Sequence, residues 1–320
     1  MTTIALLLVV GGIAMLAAGG ELLVRGAVTI ARHLKVSPAV IGLTVVAMGT
    51  SLPELAASLA AALRDAPDVA IGNVVGSNII NVAGIAATIA LLRPLPVYPK
   101  ALRLEWPFMF LASWVGFLLA RDGTVDRLEG GFLLLSLVLF SFYMARLAQS
   151  EAAEAPPLAQ ALTKEALGKA SKAAALWTHV LFVAAGIALL TIGGRILVKG
   201  AIDLATIAGV SERIIGLTLV AVGTSLPELA ATLVAARRGH AEMALANVIG
   251  SNIFNILGVL GTVALVRPIP VTAAILSTDM WWMLGFSLLL FPLMQRRRKV
   301  AKTEGVLLLV AYVVYLVSLK

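Results

Sequence analysis

The sequence contains no cysteine, only three histidines in 320 residues, and few charges, since 13% of its residues are Asp, Glu, Lys or Arg. Without cysteine there is neither a disulfide framework nor a thiolate metal site. The low charge and the 60% of hydrophobic residues leave no room for a sizeable soluble domain. Such a composition is typical of a polytopic membrane protein.

Lysine and arginine outnumber the acidic residues by 25 to 17, which gives a formal net charge of +8. This excess does not indicate binding to nucleic acid, because the basic residues lie in short loops between apolar runs. Most of the lysines and arginines lie in loops that follow the first, third, fifth, seventh and ninth apolar runs of the chain. The positive-inside rule therefore predicts that both termini lie outside and that the central polar segment is cytoplasmic.

One stretch occurs twice, at residues 41–81 and again at 215–255, with a constant offset of 174. The first copy contains GTSLPEL and then GNVVGSNIIN, and the second contains GTSLPEL and then ANVIGSNIFN. Residues 41–58 match residues 215–232 at 15 of 18 positions, which chance does not supply. The chain is therefore an internal duplication.

The apolar runs have the length of membrane spans, for which a helix of about 20 residues is needed. They are 4–30, 38–63, 68–92, 101–120, 128–148, 176–198, 213–236, 242–266, 273–294 and 304–319. The sequence thus predicts an all-α polytopic membrane protein with a five-helix repeat at 1–148, a cytoplasmic linker at 149–175 and a second five-helix repeat at 176–320. Because each repeat has an odd number of spans, the second repeat enters the membrane from the opposite side, as in the inverted repeats of secondary transporters.

The repeated motif places a glutamate, Glu54 or Glu228, inside an apolar run. A carboxylate there is costly unless a cation, a proton or water accompanies it, so the default interpretation is functional. Pro53 and Pro227 each lack an amide hydrogen and clash with the carbonyl four residues earlier, so the helix should break beside the Thr-Ser pair of the motif. Such a break is tolerated in a membrane only where the freed carbonyls face protein or a water-filled cavity.

The break gathers oxygen atoms of three kinds. They are the carbonyls of Ala47 and Ala221, the hydroxyls of Thr50, Ser51, Thr224 and Ser225, and the carboxylates of Glu54 and Glu228. Hard oxygen ligands of this kind suit Ca²⁺ or Na⁺, whereas softer metals prefer His or Cys, and no His lies near the motifs. The sequence therefore predicts a Ca²⁺ or Na⁺ site.

The GSN elements add Ser77 and Asn81, matched by Ser251 and Asn255. Residues four apart share a helix face, so each serine should lie beside its asparagine. Other amides of the same elements are Asn73, Asn78, Asn247 and Asn252. The residues alone leave open whether these four bind ions or only join helices.

With its paired GTSLPE signatures, GSNI elements, ten spans and central linker, the chain resembles the cation/calcium exchanger superfamily, and within it the prokaryotic sodium/calcium exchangers, over essentially its whole length. The resemblance implies a plasma-membrane antiporter that exchanges Ca²⁺ for Na⁺ by alternating access.

By motif match, Ca²⁺ would be bound by Glu54, Glu228, Thr50, Ser51, Thr224, Ser225 and the carbonyls of Ala47 and Ala221. Ser77 and Ser251 would line flanking Na⁺ sites, and Asn81 and Asn255 would complete the centre. We expect a monomer in the lipid bilayer, with no cofactor, no nucleic acid and no enzymatic activity.

The sequence departs from this family at Asn81 and Asn255, where sodium/calcium exchangers often have an aspartate. Two carboxylates neutralise one Ca²⁺ or two monovalent ions, which leaves H⁺ as an alternative driving ion. A cation channel would more naturally show a symmetric oligomeric filter. A hydrolase would need a nucleophile and a base, and neither HExxH nor GxSxG occurs.

Overall fold

The computed structural model describes residues 2–153, 172–208 and 223–319. Ten long helical segments lie in these ranges. We number them α1 (Thr2–Leu34), α2 (Pro38–Leu63), α3 (Pro67–Leu92), α4 (Ala101–Asp122), α5 (Arg127–Ala153), α6 (Lys172–Ile207), α7 (Leu226–Arg237), α8 (Ala241–Val266), α9 (Ile275–Arg297) and α10 (Lys302–Ser318). In these ranges, eight helices are long and apolar enough to cross a membrane. The remaining two are α7, which is described only in part, and α10, which has 17 residues.

The polytopic helical fold is therefore confirmed, while the count of ten spans stays a prediction. The predicted repeat boundaries at 148 and 176 stay predictions. Within the described residues, α5 extends to Ala153 and α6 is described from Lys172 onward. Most of the predicted linker lies outside the described residues.

Helices α1 and α6 pack against each other through glycines spaced seven residues apart. A Cβ atom at Gly12 would lie 2.6 Å from the backbone nitrogen of Leu197, and one at Gly19 would lie 2.8 Å from that of Leu190. Such small residues let two membrane helices approach closely. Because the contact moves down α6 as it moves up α1, the two helices are antiparallel. Equivalent helices of the two repeats therefore run in opposite directions.

Two short strand pairs join the repeats at the ends of the helices. Strand β1 (Leu95–Pro96) pairs with β4 (Lys299–Val300), and β2 (Thr124–Val125) pairs with β3 (Ile269–Pro270), both antiparallel. In each pair, one strand comes from the first repeat and the other from the second. The loops after α3 and α8 are thus fastened to the opposite half.

Helices α2, α3 and α8 depart from regular α geometry close to the repeated motifs. In α2 the helix stops at Thr50, Ser51 takes φ −86° and ψ 7°, and the helix resumes at Leu52. Ser225 takes φ −89° and ψ 5° before α7 begins. Wider π-helical turns follow the GSN elements at Ile80–Ala86 and Asn255–Leu260. Such turns are rare and often mark functional sites.

Outside the motifs, the structure adds charge contacts between the repeats. Glu21 pairs with Arg25 one helical turn away, and Arg238, at the end of α7, also binds the Glu21 carboxylate. A second contact between the repeats joins Arg267 to Asp65. Such exposed ion pairs contribute little stability on their own.

Candidate cation site

The two glutamates of the repeated motif lie at the contact between the repeats, and each receives a hydrogen bond from the other repeat. The Ser51 hydroxyl donates to Glu228 Oε1 at 2.8 Å, and the Ser225 hydroxyl donates to Glu54 Oε1 at 3.2 Å. All four side chains are buried. The structure thus brings the predicted serines and glutamates together in a crossed arrangement.

The second carboxylate oxygen of each glutamate has no hydrogen-bond partner among the described residues. The same holds for several other buried oxygens of the two motifs. They are Asn78 Oδ1, Asn81 Oδ1, Asn247 Oδ1, Asn255 Oδ1 and Ser251 Oγ, in addition to Glu54 Oε2 and Glu228 Oε2. A buried polar atom without a partner costs about 1–3 kcal/mol, and more when it is charged. So many acceptors without donors fit a site that binds cations.

The GSN elements contribute a direct contact between α3 and α8. The amide Nδ2 of Asn81 donates to Oδ1 of Asn252 at 3.1 Å, so Asn252 faces the opposite repeat. Asn81 and Asn255 lie at the beginning of the π-helical turns, where the helix widens. Ser77 and Ser251 are both buried one turn earlier. The predicted residues of both GSN elements therefore lie in the interior between the repeats.

Two further asparagines hold the neighbouring helices in place. Asn73 donates to the Ser58 hydroxyl at 2.9 Å and to the backbone carbonyl of Glu54 at 3.2 Å. In the second repeat, Asn247 donates to the Thr232 hydroxyl at 3.0 Å. Each GSN element is thereby fixed to the helix that contains the glutamate of its own repeat.

Methionines of α4 and α9 also contact the site, which sequence reasoning missed. Asn78 donates to the sulfur of Met283 at 3.7 Å, and Asn252 donates to the sulfur of Met109 at 3.6 Å. Both methionines are fully buried. Their only signal in the sequence is their separation, which equals the offset of the repeat.

The predicted carbonyl ligands are placed in part. The Ala47 carbonyl accepts the amide hydrogen of Ser51 at 3.1 Å and the Thr50 hydroxyl at 3.3 Å. To bind an ion, this carbonyl oxygen would have to release one of these two hydrogen bonds or use its lone pairs for the ion and a donor together. Ala221 lies outside the described residues. Thr224 is half-buried and donates to Asn73 Oδ1 at 3.3 Å.

A cavity of about 460 Å³ reaches the site from one end of the helix bundle. It touches both motif prolines and Thr224 at its inner end. It then runs between α2 and α6 towards the ends of these helices, past Ala57, Ala60 and Ile202. By the predicted topology this end of the bundle faces outside. The cavity is mostly apolar, but Arg195 and Lys199 line it.

Comparison with known proteins places this arrangement in a family. The sodium/calcium exchanger protein family matches the chain over residues 4–146 and 178–319. The chain belongs to that family. Its members are transporters rather than enzymes.

Relatives in several organisms support the assignment. The chain is 34% identical to the sodium/calcium exchanger MaX1 of Methanosarcina acetivorans over 351 residues, covering 100% of this chain and 99% of the relative. It is 36% identical to the inner membrane protein YrbG of Escherichia coli over 313 residues, covering 98% and 95%. The solved structure of the sodium-calcium exchanger NCX_Mj superposes with a TM-score of 0.84 at 30% identity and covers 100% of both chains. The exchanger is therefore a multi-pass membrane protein.

Proposed function

We propose that this exchanger carries Ca²⁺ in one direction and Na⁺ in the other across the plasma membrane by alternating access. The observation that carries the proposal is the crossed pair of buried glutamates, each with one oxygen bound by a serine of the opposite repeat and one oxygen without a partner. Ca²⁺ accepts roughly six to eight oxygen ligands in flexible geometry, and two carboxylates balance its charge. Because both repeats supply the same groups, the site belongs to neither half alone.

The predicted ligands enter this proposal with separate roles. Glu54 and Glu228 compensate the charge of Ca²⁺, and the motif hydroxyls with the Ala47 and Ala221 carbonyls complete its shell. Ser77 and Ser251 line flanking sites for Na⁺, and Asn81 and Asn255 contribute amide oxygens between them. Movement of the antiparallel repeats against each other would then open the same site to either side of the membrane.

The test is Ca²⁺ uptake into proteoliposomes that contain the purified exchanger. A Na⁺ gradient or a pH gradient is imposed separately, with the membrane voltage clamped. We expect uptake on the Na⁺ gradient alone. The Glu242→Gln variant is a matched control, because Glu242 is exposed at the start of α8 and the substitution removes the same charge away from the site.

The second candidate is exchange of Ca²⁺ for H⁺ on the same fold. It is favoured by one observation, that Asn81 and Asn255 are amides, so the site contains only two carboxylates. Two protons would neutralise both glutamates as completely as one Ca²⁺ does. Uptake on the pH gradient without Na⁺ would establish this candidate and overturn the first.

A further inference from the structure

Many contacts around the site obey the symmetry of the repeats. The serine to glutamate bonds occur in both directions, and so do the asparagine to methionine contacts. The bonds from Asn73 to Ser58 and from Asn247 to Thr232 are also equivalent, at 2.9 and 3.0 Å. A contact whose equivalent in the other repeat is missing therefore distinguishes this conformation from the one in which the two repeats exchange roles.

One such contact joins Asn73 to Thr224. The Thr224 hydroxyl donates to Asn73 Oδ1 across the two repeats. The equivalent partners are Asn247 and Thr50, and they are not bonded. Asn247 Oδ1 is buried with no partner among the described residues, and the Thr50 hydroxyl donates to the Ala47 carbonyl of its own helix.

The surroundings show the same asymmetry. Ala57 is exposed and lines the cavity, whereas Ala231, which occupies the equivalent position in the second repeat, is only 1% exposed. Thr224 is half-buried at the inner end of the cavity, whereas Thr50 is only 1% exposed. The cavity thus lies along α2 of the first repeat, and the asparagine of that same repeat, Asn73, accepts the hydrogen bond from Thr224.

We infer that Asn73 and Asn247 are a pair of positioning residues that exchange roles when access changes. Asn73 holds the Thr224 hydroxyl in the conformation described here, and Asn247 holds the Thr50 hydroxyl in the oppositely open conformation. The bonds to Ser58 and Thr232 persist in both, because they lie within single repeats. The inference rests on the proposed alternating-access function. Each of the two conformations is then stabilised by its own hydrogen bond between the repeats.

The matched variants are Asn73→Ala and Asn247→Ala. Both lose an equivalent bond within a repeat, from Asn73 to Ser58 or from Asn247 to Thr232. Asn73→Ala also loses the bond to the Glu54 carbonyl, which lies within one repeat and should persist in both conformations. For the balance between the two conformations, the variants differ in which one loses its bond between repeats. The first should disfavour the described conformation and the second should disfavour the opposite one.

Accessibility of single cysteines measures the two conformations without any transport assay. The chain has no native cysteine, so Ala57→Cys and Ala231→Cys are unique reporters of the two open states. In lipid nanodiscs, a water-soluble maleimide reaches both membrane faces, so the measurement does not depend on the predicted orientation. The readout is the ratio of the labelling rate at position 57 to the rate at position 231.

We expect Asn73→Ala to lower this ratio by about fivefold and Asn247→Ala to raise it by about fivefold, the factor that one net hydrogen bond supplies. Shifts in the same direction, or no shift in either alanine variant, would overturn the inference. Absence of Ca²⁺ transport together with opposite shifts would count against the proposed ions and leave the inference supported.

Discussion

Ser51 lies 2.8 Å from Glu228 although the two residues are 177 positions apart, and its hydroxyl donates to one oxygen of that carboxylate. The other oxygen has no partner among the described residues. One repeat thus orients the charge that the other repeat supplies, and the reciprocal bond from Ser225 to Glu54 does the same. Neither half could form this site alone.

The first prediction concerns the two carboxylates. Glu54→Gln and Glu228→Gln should each abolish Ca²⁺ uptake, because the loss of one negative charge leaves a divalent ion uncompensated in a buried site. Uptake of radioactive Ca²⁺ into vesicles measures this, with Glu242→Gln as the variant that keeps activity. Near-normal uptake by either site variant would refute the assignment of the site.

The second prediction concerns the departure from the family at Asn255. Asn255→Asp adds a third negative group to the buried interior that contains the two glutamates, so it should strengthen Ca²⁺ binding by about tenfold, the factor that about 1.4 kcal/mol supplies. Calorimetric titration of the purified exchanger with Ca²⁺ is the measurement. Unchanged affinity would mean that this side chain does not face the bound ion.

The basic lining of the cavity should slow the entry of cations. Lys199 lines this cavity, and no described residue forms an ion pair with it. Lys199→Glu should raise the initial rate of Ca²⁺ uptake roughly threefold at low ionic strength, and salt should diminish the gain. Lys302→Glu, at the exposed start of α10, is the control. An equal effect from both variants would show that net charge, and not the cavity, is responsible.

The glycine contact between α1 and α6 should be sensitive to a single methyl group. Gly19→Ala would bring a Cβ atom within 2.8 Å of the Leu190 backbone, an overpacking that costs about 1–3 kcal/mol. We expect a lower Tm in detergent by several degrees, roughly 2–4 °C for each kcal/mol. Gly11→Ala is the matched control, because a Cβ atom there meets nothing within 4 Å. Equal Tm values would show that the helices adjust to the added atom.

The predicted orientation in the membrane has both termini outside. A tag after Lys320 should be reachable from outside intact cells, and a cysteine in place of Ser171 should react only from inside, because the lysines and arginines concentrate on the predicted cytoplasmic side. Labelling with an impermeant reagent before and after lysis measures both. The reverse pattern would invert the topology and, with it, the face to which the cavity opens.

The sequence by itself determined the duplication and predicted the chemistry of the site. A glutamate directly after a proline and three residues after a Thr-Ser pair, repeated at a constant offset within apolar runs, predicts two equivalent carboxylates in a membrane. It also predicts that the repeats are inverted, since each contains an odd number of spans. These features depend on local composition and periodicity, which are visible without the fold.

Only the tertiary structure decided which equivalent residues are bonded. The motifs of the two repeats are nearly identical, so no residue pattern could predict that Asn73 bonds Thr224 while Asn247 Oδ1 stays without a partner. Likewise, Met109 and Met283 reach the site only because α4 and α9 pack beside the opposite GSN elements. Which of two equivalent bonds forms depends on the relative position of the two halves, and that position is set by packing between helices far apart in sequence.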